Sequence, residues 1–180
     1  MKKLALMLSV ALLAACSNKK ATTENTSSST IFIEQKVNEF IAENPDWTKD
    51  QATQDATTDK FKHWAINLSN EPEFLKDMPL KLKGLTDTLV SGQTFKLATF
   101  VSYNDNARPK GSLLNYIQLQ INGIMPDDIV KTVTLDKNYT LTGNLYKQGK
   151  RADVKFVNVA DFRGYDVGKY TFSITAVKPL

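Results

Sequence analysis

From Pro79 onward the apolar residues recur with a period of two. Leu80 and Leu82 alternate with Lys81 and Lys83, and Phe95, Leu97, Thr99, Val101 and Tyr103 share one face of a long strand. Ile117, Leu119 and Ile121 alternate with Gln118 and Gln120. Tyr139, Leu141, Gly143 and Leu145 alternate with Thr140, Thr142 and Asn144. Val154 and Phe156 continue the pattern, and Tyr170, Phe172, Ile174 and Ala176 alternate with Thr171, Ser173 and Thr175. A period of two places successive side chains on opposite faces, so it predicts strands with one buried and one wet face. Turn residues separate the runs: Ser91-Gly92, Asn122-Gly123, Asp136-Lys137-Asn138, Gln148-Gly149, Gly164 and Gly168. Residues 78–180 are therefore expected to form a mainly antiparallel β domain.

The preceding residues change period. Ile33, Val37, Phe40 and Ile41 fall on one helical face, and Asn44-Pro45 stops that helix. Thr48 and Gln51 have the spacing of a capping box opening a second helix, whose face is Phe61, Trp64, Ala65 and Leu68. Trp47 is expected to staple the turn between the helices, and Trp64 to dock the second helix on the sheet. Short amphipathic helices cannot bury themselves alone, so residues 31–77 are read as a helical arm lying against the β domain. The fold class is α+β, a helical pair followed by a barrel or, alternatively, a β-sandwich. Met125-Pro126-Asp127-Asp128 starts a short helix between strands. A small barrel with a helix after its third strand resembles the OB-fold, and Tyr139-Thr140-Leu141-Thr142-Gly143 is similar to the fourth strand of many such barrels. That resemblance implies a module able to bind an oligomeric ligand.

The chain's 180 residues include a leader. Lys2 and Lys3 precede an apolar run from Leu4 to Leu13, too short for an ordinary membrane span and suited to a signal peptide, residues 1–15. Leu13-Ala14-Ala15-Cys16 resembles the lipobox of bacterial lipoproteins. The resemblance implies cleavage before Cys16, a diacylglyceryl group on its thiol and an acylated amine. Two or more acyl chains anchor a protein stably, so the partner implied is a membrane. Ser17 follows the cysteine, and in that family this resembles outer-membrane cargo with its body in the periplasm. Residues 16–30 hold the lipidated cysteine and a Ser/Thr/Asn/Lys-rich tether with nothing to bury. Loss of Lys2 and Lys3 takes the net charge from +4 to +2.

No catalytic set is legible. The single cysteine is consumed by lipid, and no disulfide framework or Cys-rich metal site can form. The single histidine, His63, points about 160–200° away from the apolar stripe of its helix and is expected to be exposed. Asp127-Asp128 reads as helix-terminal acids. Asn104-Asp105-Asn106 lacks the spacing of a calcium loop. No Gly-rich phosphate loop follows a strand, so no cofactor is expected.

Charge is distributed unevenly. Residues 17–77 carry net −4 and residues 78–180 net +6. The basic residues gather in Arg108-Pro109-Lys110, in Lys147 to Arg151 with Lys150, and at Arg163 beside Phe162 and Tyr165. Arginine next to aromatic rings suits stacking on sugars and pairing with phosphate or carboxylate. The candidate ligand-binding set is Arg108, Lys110, Lys150, Arg151, Arg163 and Tyr165. Three readings stand side by side. The basic domain neutralises its own acidic arm; its loops meet an anionic envelope glycan or lipid; or an OB-type face binds an oligomer. Nucleic acid is not expected as a ligand outside the cytoplasm. The sequence is thus read as a non-enzymatic envelope binding or adaptor protein. Its alternatives are an anionic-glycan module and a carboxylate hydrolase of envelope polymers.

Overall fold

The computed structural model describes residues 29–148, 155–159 and 162–180. The leader, Cys16 and most of the tether lie outside the described residues, as do Lys150 and Arg151. The elements are α1 (Phe32–Glu43), α2 (Gln51–Leu68), β1 (Leu80–Val90), β2 (Gln93–Val101), β3 (Ile117–Met125), α3 (Asp127–Val130), β4 (Asn138–Lys147), β5 (Lys155–Val159) and β6 (Phe162–Pro179). A 3₁₀ turn, Leu113–Asn115, precedes β3. The class is α+β, with helices followed by a mostly antiparallel sheet.

The sheet order is β3-β2-β1-β4-β6-β5, and β3 also pairs with β6. That last ladder is parallel and runs from Ile117↔Tyr165 to Ile124↔Ser173. The ladders β1–β2, β2–β3, β3–β6, β6–β4 and β4–β1 therefore form a closed circuit, and β5 pairs with β6 among the described residues. A closed circuit leaves these five strands without a free edge over the paired stretch. Ser91 and Gly92, both at positive φ, turn β1 into β2. Two-residue hairpin turns require that conformation, which glycine adopts without strain.

Several expectations are corrected. The buried face of β2 is Ala98 and Phe100, not the face of Phe95, Leu97, Thr99 and Val101, which is only half-buried. The register explains this: Phe100 pairs with Leu82 and with Ile121, both fully buried, so its face is the inner one. Asn122-Gly123 is not a turn but lies within β3, and Gly164 and Gly168 lie within β6. A Cβ at Gly123 would come within 2.6 Å of Ile174 Cγ1 of β6, so glycine there permits close strand approach. The N-cap of α2 is Asp50, whose carboxylate accepts the Thr53 N–H at 2.8 Å, not Thr48. Accepting that bond holds the Asp50 carboxyl below its ordinary value.

One core runs through helices and sheet. Ile33, Val37 and Phe40 of α1 and Phe61, Ala65 and Leu68 of α2 are buried as their spacing predicts, and His63 is exposed. The segment between α2 and β1, broken by prolines, adds Phe74, Leu75 and Met78 to this core. Trp47 sits 5.2 Å from Phe40, 5.3 Å from Phe61 and 6.2 Å from Tyr165. It therefore ties both helices to β6. Trp64 packs on Phe40 and Phe61 at 4.9 and 5.1 Å, so its ring partners are helical. Trp64 is half-buried against the same core, and Trp47 joins it in tying the helices to the sheet. Tyr170 secures α2 further: its hydroxyl donates to the carbonyls of Val167 at 2.7 Å and Ala65 at 3.3 Å. Burial pushes the Tyr170 phenol well above its ordinary value.

Candidate functional site

The chain from Tyr103 to Ser112 leaves β2 as a polar loop, because Asn104, Asp105, Asn106, Pro109 and Gly111 favour turns over a continued strand. Asp105 Oδ1 accepts the Ala107 N–H at 2.9 Å. Asn115, in the 3₁₀ turn, holds the loop from beneath. Its Oδ1 accepts the Asp105 N–H at 2.8 Å, and its Nδ2 donates to the Asp105 carbonyl at 3.1 Å. The Arg108 guanidinium lies 4.8 Å from the centre of the Tyr103 ring. Its Nη1 donates to the Tyr103 carbonyl at 2.7 Å and to Asn115 Oδ1.

The other wall comes from the start of α1. Ile31, the N-cap, supplies no side-chain hydrogen bond. Glu34 instead reaches across to the loop and is only 5% exposed. One carboxylate oxygen accepts from Ser112 Oγ and from the Leu113 N–H, each at 2.7 Å, and the other accepts from Ser29 Oγ at 2.6 Å. A buried carboxylate is tolerable when hydrogen bonds replace its water, and three do so here. Glu34 thus latches α1 to the loop. Sequence reading missed it, since a first-turn acid on a helix ordinarily faces solvent. Its one signal was its place beside Ile33, on the apolar face.

Between these walls lies a cleft of about 500 Å³, lined by Ser29 to Ile31, Glu34, Pro79, Tyr103, Asp105, Arg108 to Ser112 and Leu114. Arg108 is half-buried in it and Lys110 is exposed. Lys81 approaches Tyr103 separately, its Nζ 5.7 Å from the ring centre.

Of the candidate residues, Arg108, Lys110 and Tyr165 have described side chains. Arg108 and Lys110 share the cleft. Tyr165 is corrected: it is 3% exposed and packs near Trp47 and Phe61, so its ring is core and not a platform for a ligand. Arg163 is placed in β6 opposite Asn158 of β5, away from that loop in the chain. Lys150 and Arg151 lie outside the described residues. Asp127 and Asp128 open α3, as helix-terminal acids should.

Among the described residues no three or more His, Cys, Asp or Glu side chains are grouped to hold a metal ion. No described helix is long and apolar enough to cross a membrane. Comparison with protein-family models, with curated proteins and with solved structures finds no match.

Proposed function

We propose that this protein is a lipid-anchored cell-envelope protein that binds a partner or ligand without catalysing a reaction, and that the cleft under the Tyr103–Ser112 loop is its binding surface. One observation carries this reading. Ser29 and Thr30, the last residues assigned to the tether, line the same cleft as the cationic Arg108 and Lys110. Residues 17–28, if they form the flexible tether expected of their composition, span roughly 20 Å. A lipidated Cys16 would then hold this cleft close to the envelope surface.

Two measurements test the proposal. Palmitate labelling should vanish in Cys16→Ala. Affinity purification from solubilised envelope should recover the same molecule with the wild-type chain and lose it with Arg108→Gln. A turnover reaction abolished by one conservative substitution would overturn the non-catalytic reading.

The closed strand circuit, with α3 between β3 and β4, favours a second reading. This order of elements supports an OB-like barrel over a sandwich, and with it a module for an anionic glycan. The binding surface is then tested with envelope oligosaccharides in place of a protein partner.

A further inference from the structure

We propose that the Tyr103–Ser112 cleft is a site for a phosphate-ester anion, bound by the Arg108 guanidinium held against the Tyr103 ring and by the Lys110 ammonium. The inference rests on reading this cleft as a binding surface. It does not depend on lipidation at Cys16, so the two can fail separately.

The charges of the cleft are unevenly satisfied. Arg108 donates to two neutral oxygens, the Tyr103 carbonyl and Asn115 Oδ1, and its positive charge meets no carboxylate in an ion pair among the described residues. Lys110 likewise has no ion pair among the described residues. Lys36, Lys62, Lys76, Lys83 and Lys96, by contrast, each bind a carboxylate. The cleft's own acids are engaged elsewhere. Glu34 accepts from Ser29, Ser112 and Leu113, and Asp105 Oδ1 accepts from the Ala107 N–H. Arg108 and Lys110 thus line the cleft without an ion pair among the described residues, while the two carboxylates that share it, Glu34 and Asp105, are held by neutral donors.

The geometry suits phosphate. A guanidinium presents a planar fork of donors, and an ammonium presents a point charge. A tetrahedral anion offers enough oxygens to take both at once. The arginine is also preorganised. Its guanidinium carbon sits over the Tyr103 ring, 4.8 Å from the centre, and its loop is closed by Arg108 N–H to Asp105 O and Ser112 N–H to Pro109 O, at 3.3 and 3.2 Å. Little ordering remains to be done when the anion arrives. Two sources carry this chemistry: the headgroup of an anionic lipid beside the anchor, or a soluble phosphate ester.

The test uses the full chain carrying Cys16→Ala, alone and with Arg108→Gln, Lys110→Gln or Lys96→Gln. Lys96 pairs with Asp87, so its substitution changes net charge equally, away from the cleft. Amide shifts are followed against inorganic phosphate and glycerol phosphate. Sedimentation is followed with phosphatidylcholine vesicles, with and without phosphatidylglycerol. Every variant keeps residues 1–28, so their contribution to vesicle binding cancels. Arg108→Gln should weaken binding about tenfold and Lys110→Gln about fivefold, with Lys96→Gln near wild type. Because Lys110 is exposed, its variant should keep the loop intact even if Arg108→Gln loosens it. That ordering on phosphatidylglycerol vesicles identifies a lipid headgroup. The same ordering with glycerol phosphate alone identifies a soluble ester. No saturable shift or vesicle binding, or equal losses in Lys96→Gln and Lys110→Gln, would overturn the proposal.

Discussion

Gly143→Ala tests the closed circuit where a glycine lets β4 approach β6 closely. Gly143 of β4 pairs with Ile174 of β6, next to a register shift between Thr142 and Gly143. A Cβ there would stand 2.5 Å from the Ser173 carbonyl oxygen and 3.1 Å from Ile174 Cα. The first contact is about 0.9 Å short of the 3.4 Å at which ordinary contact begins. Both atoms are backbone, so no rotamer relieves the clash and the two strands must part. Overpacking costs about 1–3 kcal/mol, and displacement of backbone places this case at about 2–3 kcal/mol. For a chain of this size that lowers Tm by about 4–12 °C. The assay is urea and thermal unfolding of the Cys16→Ala chain, followed by circular dichroism. Gly123→Ala is the informative contrast, because its clash is with a side-chain atom, Ile174 Cγ1. Ile174→Ala removes that atom. The Gly123→Ala/Ile174→Ala pair should therefore cost less than the sum of its parts by about 1 kcal/mol. The Gly143 pair keeps its backbone clash and should couple less. A loss below about 0.5 kcal/mol for Gly143→Ala would refute the argument that β4 and β6 meet this closely.

Glu34→Gln puts an amide where three donors converge, and should cost about 1–3 kcal/mol while shifting the amide signals of Ser112 and Leu113. Asp50 has a folded-state pKa below its unfolded value, so its contribution is full above the unfolded value and is lost as pH falls through the folded one. Asp50→Asn keeps a capping oxygen and should flatten the acid limb of the stability profile, measured by urea unfolding at several pH values. Tyr170→Phe removes donation to Val167 and Ala65 and should cost about 1 kcal/mol. Because burial raises the Tyr170 pKa, wild-type stability should fall as pH rises above about 10, and less steeply in Tyr170→Phe. Ultraviolet titration should find one of the six tyrosines protonated until the protein unfolds.

Much of the architecture was legible in single-chain patterns. Period two marked β3, β4 and β6, whose inward residues Ile117, Leu119, Ile121, Tyr139, Leu141, Tyr170, Phe172 and Ile174 are buried. Helical spacing marked α1 and α2, and Pro126 with two acids marked α3. These are local effects, since alternation and capping depend on neighbours a few residues away. The cationic Arg108-Pro109-Lys110 segment was also visible, because charge clustering needs no partner to be seen.

Tertiary structure decided the rest. Both faces of β2 carry apolar residues, so only pairing with Leu82 and Ile121 selects Ala98 and Phe100 as the inner face. Glycine serves turns and close approaches alike, and it is the nearness of Ile174 that makes Gly123 a strand residue. Tyr165 beside Arg163 had the sequence of a stacking site, until Trp47 of the inter-helix turn and Phe61 of α2 arrived to bury it. Glu34 is 78 residues from Ser112, and no local pattern joins them. A leader and a lipidated Cys16 are expectations of the sequence alone, whereas the cleft exists only where α1, the Tyr103–Ser112 loop and the 3₁₀ turn are brought together. Periodicity reports which face of an element is apolar; what that face meets is set by contacts between residues distant in the chain.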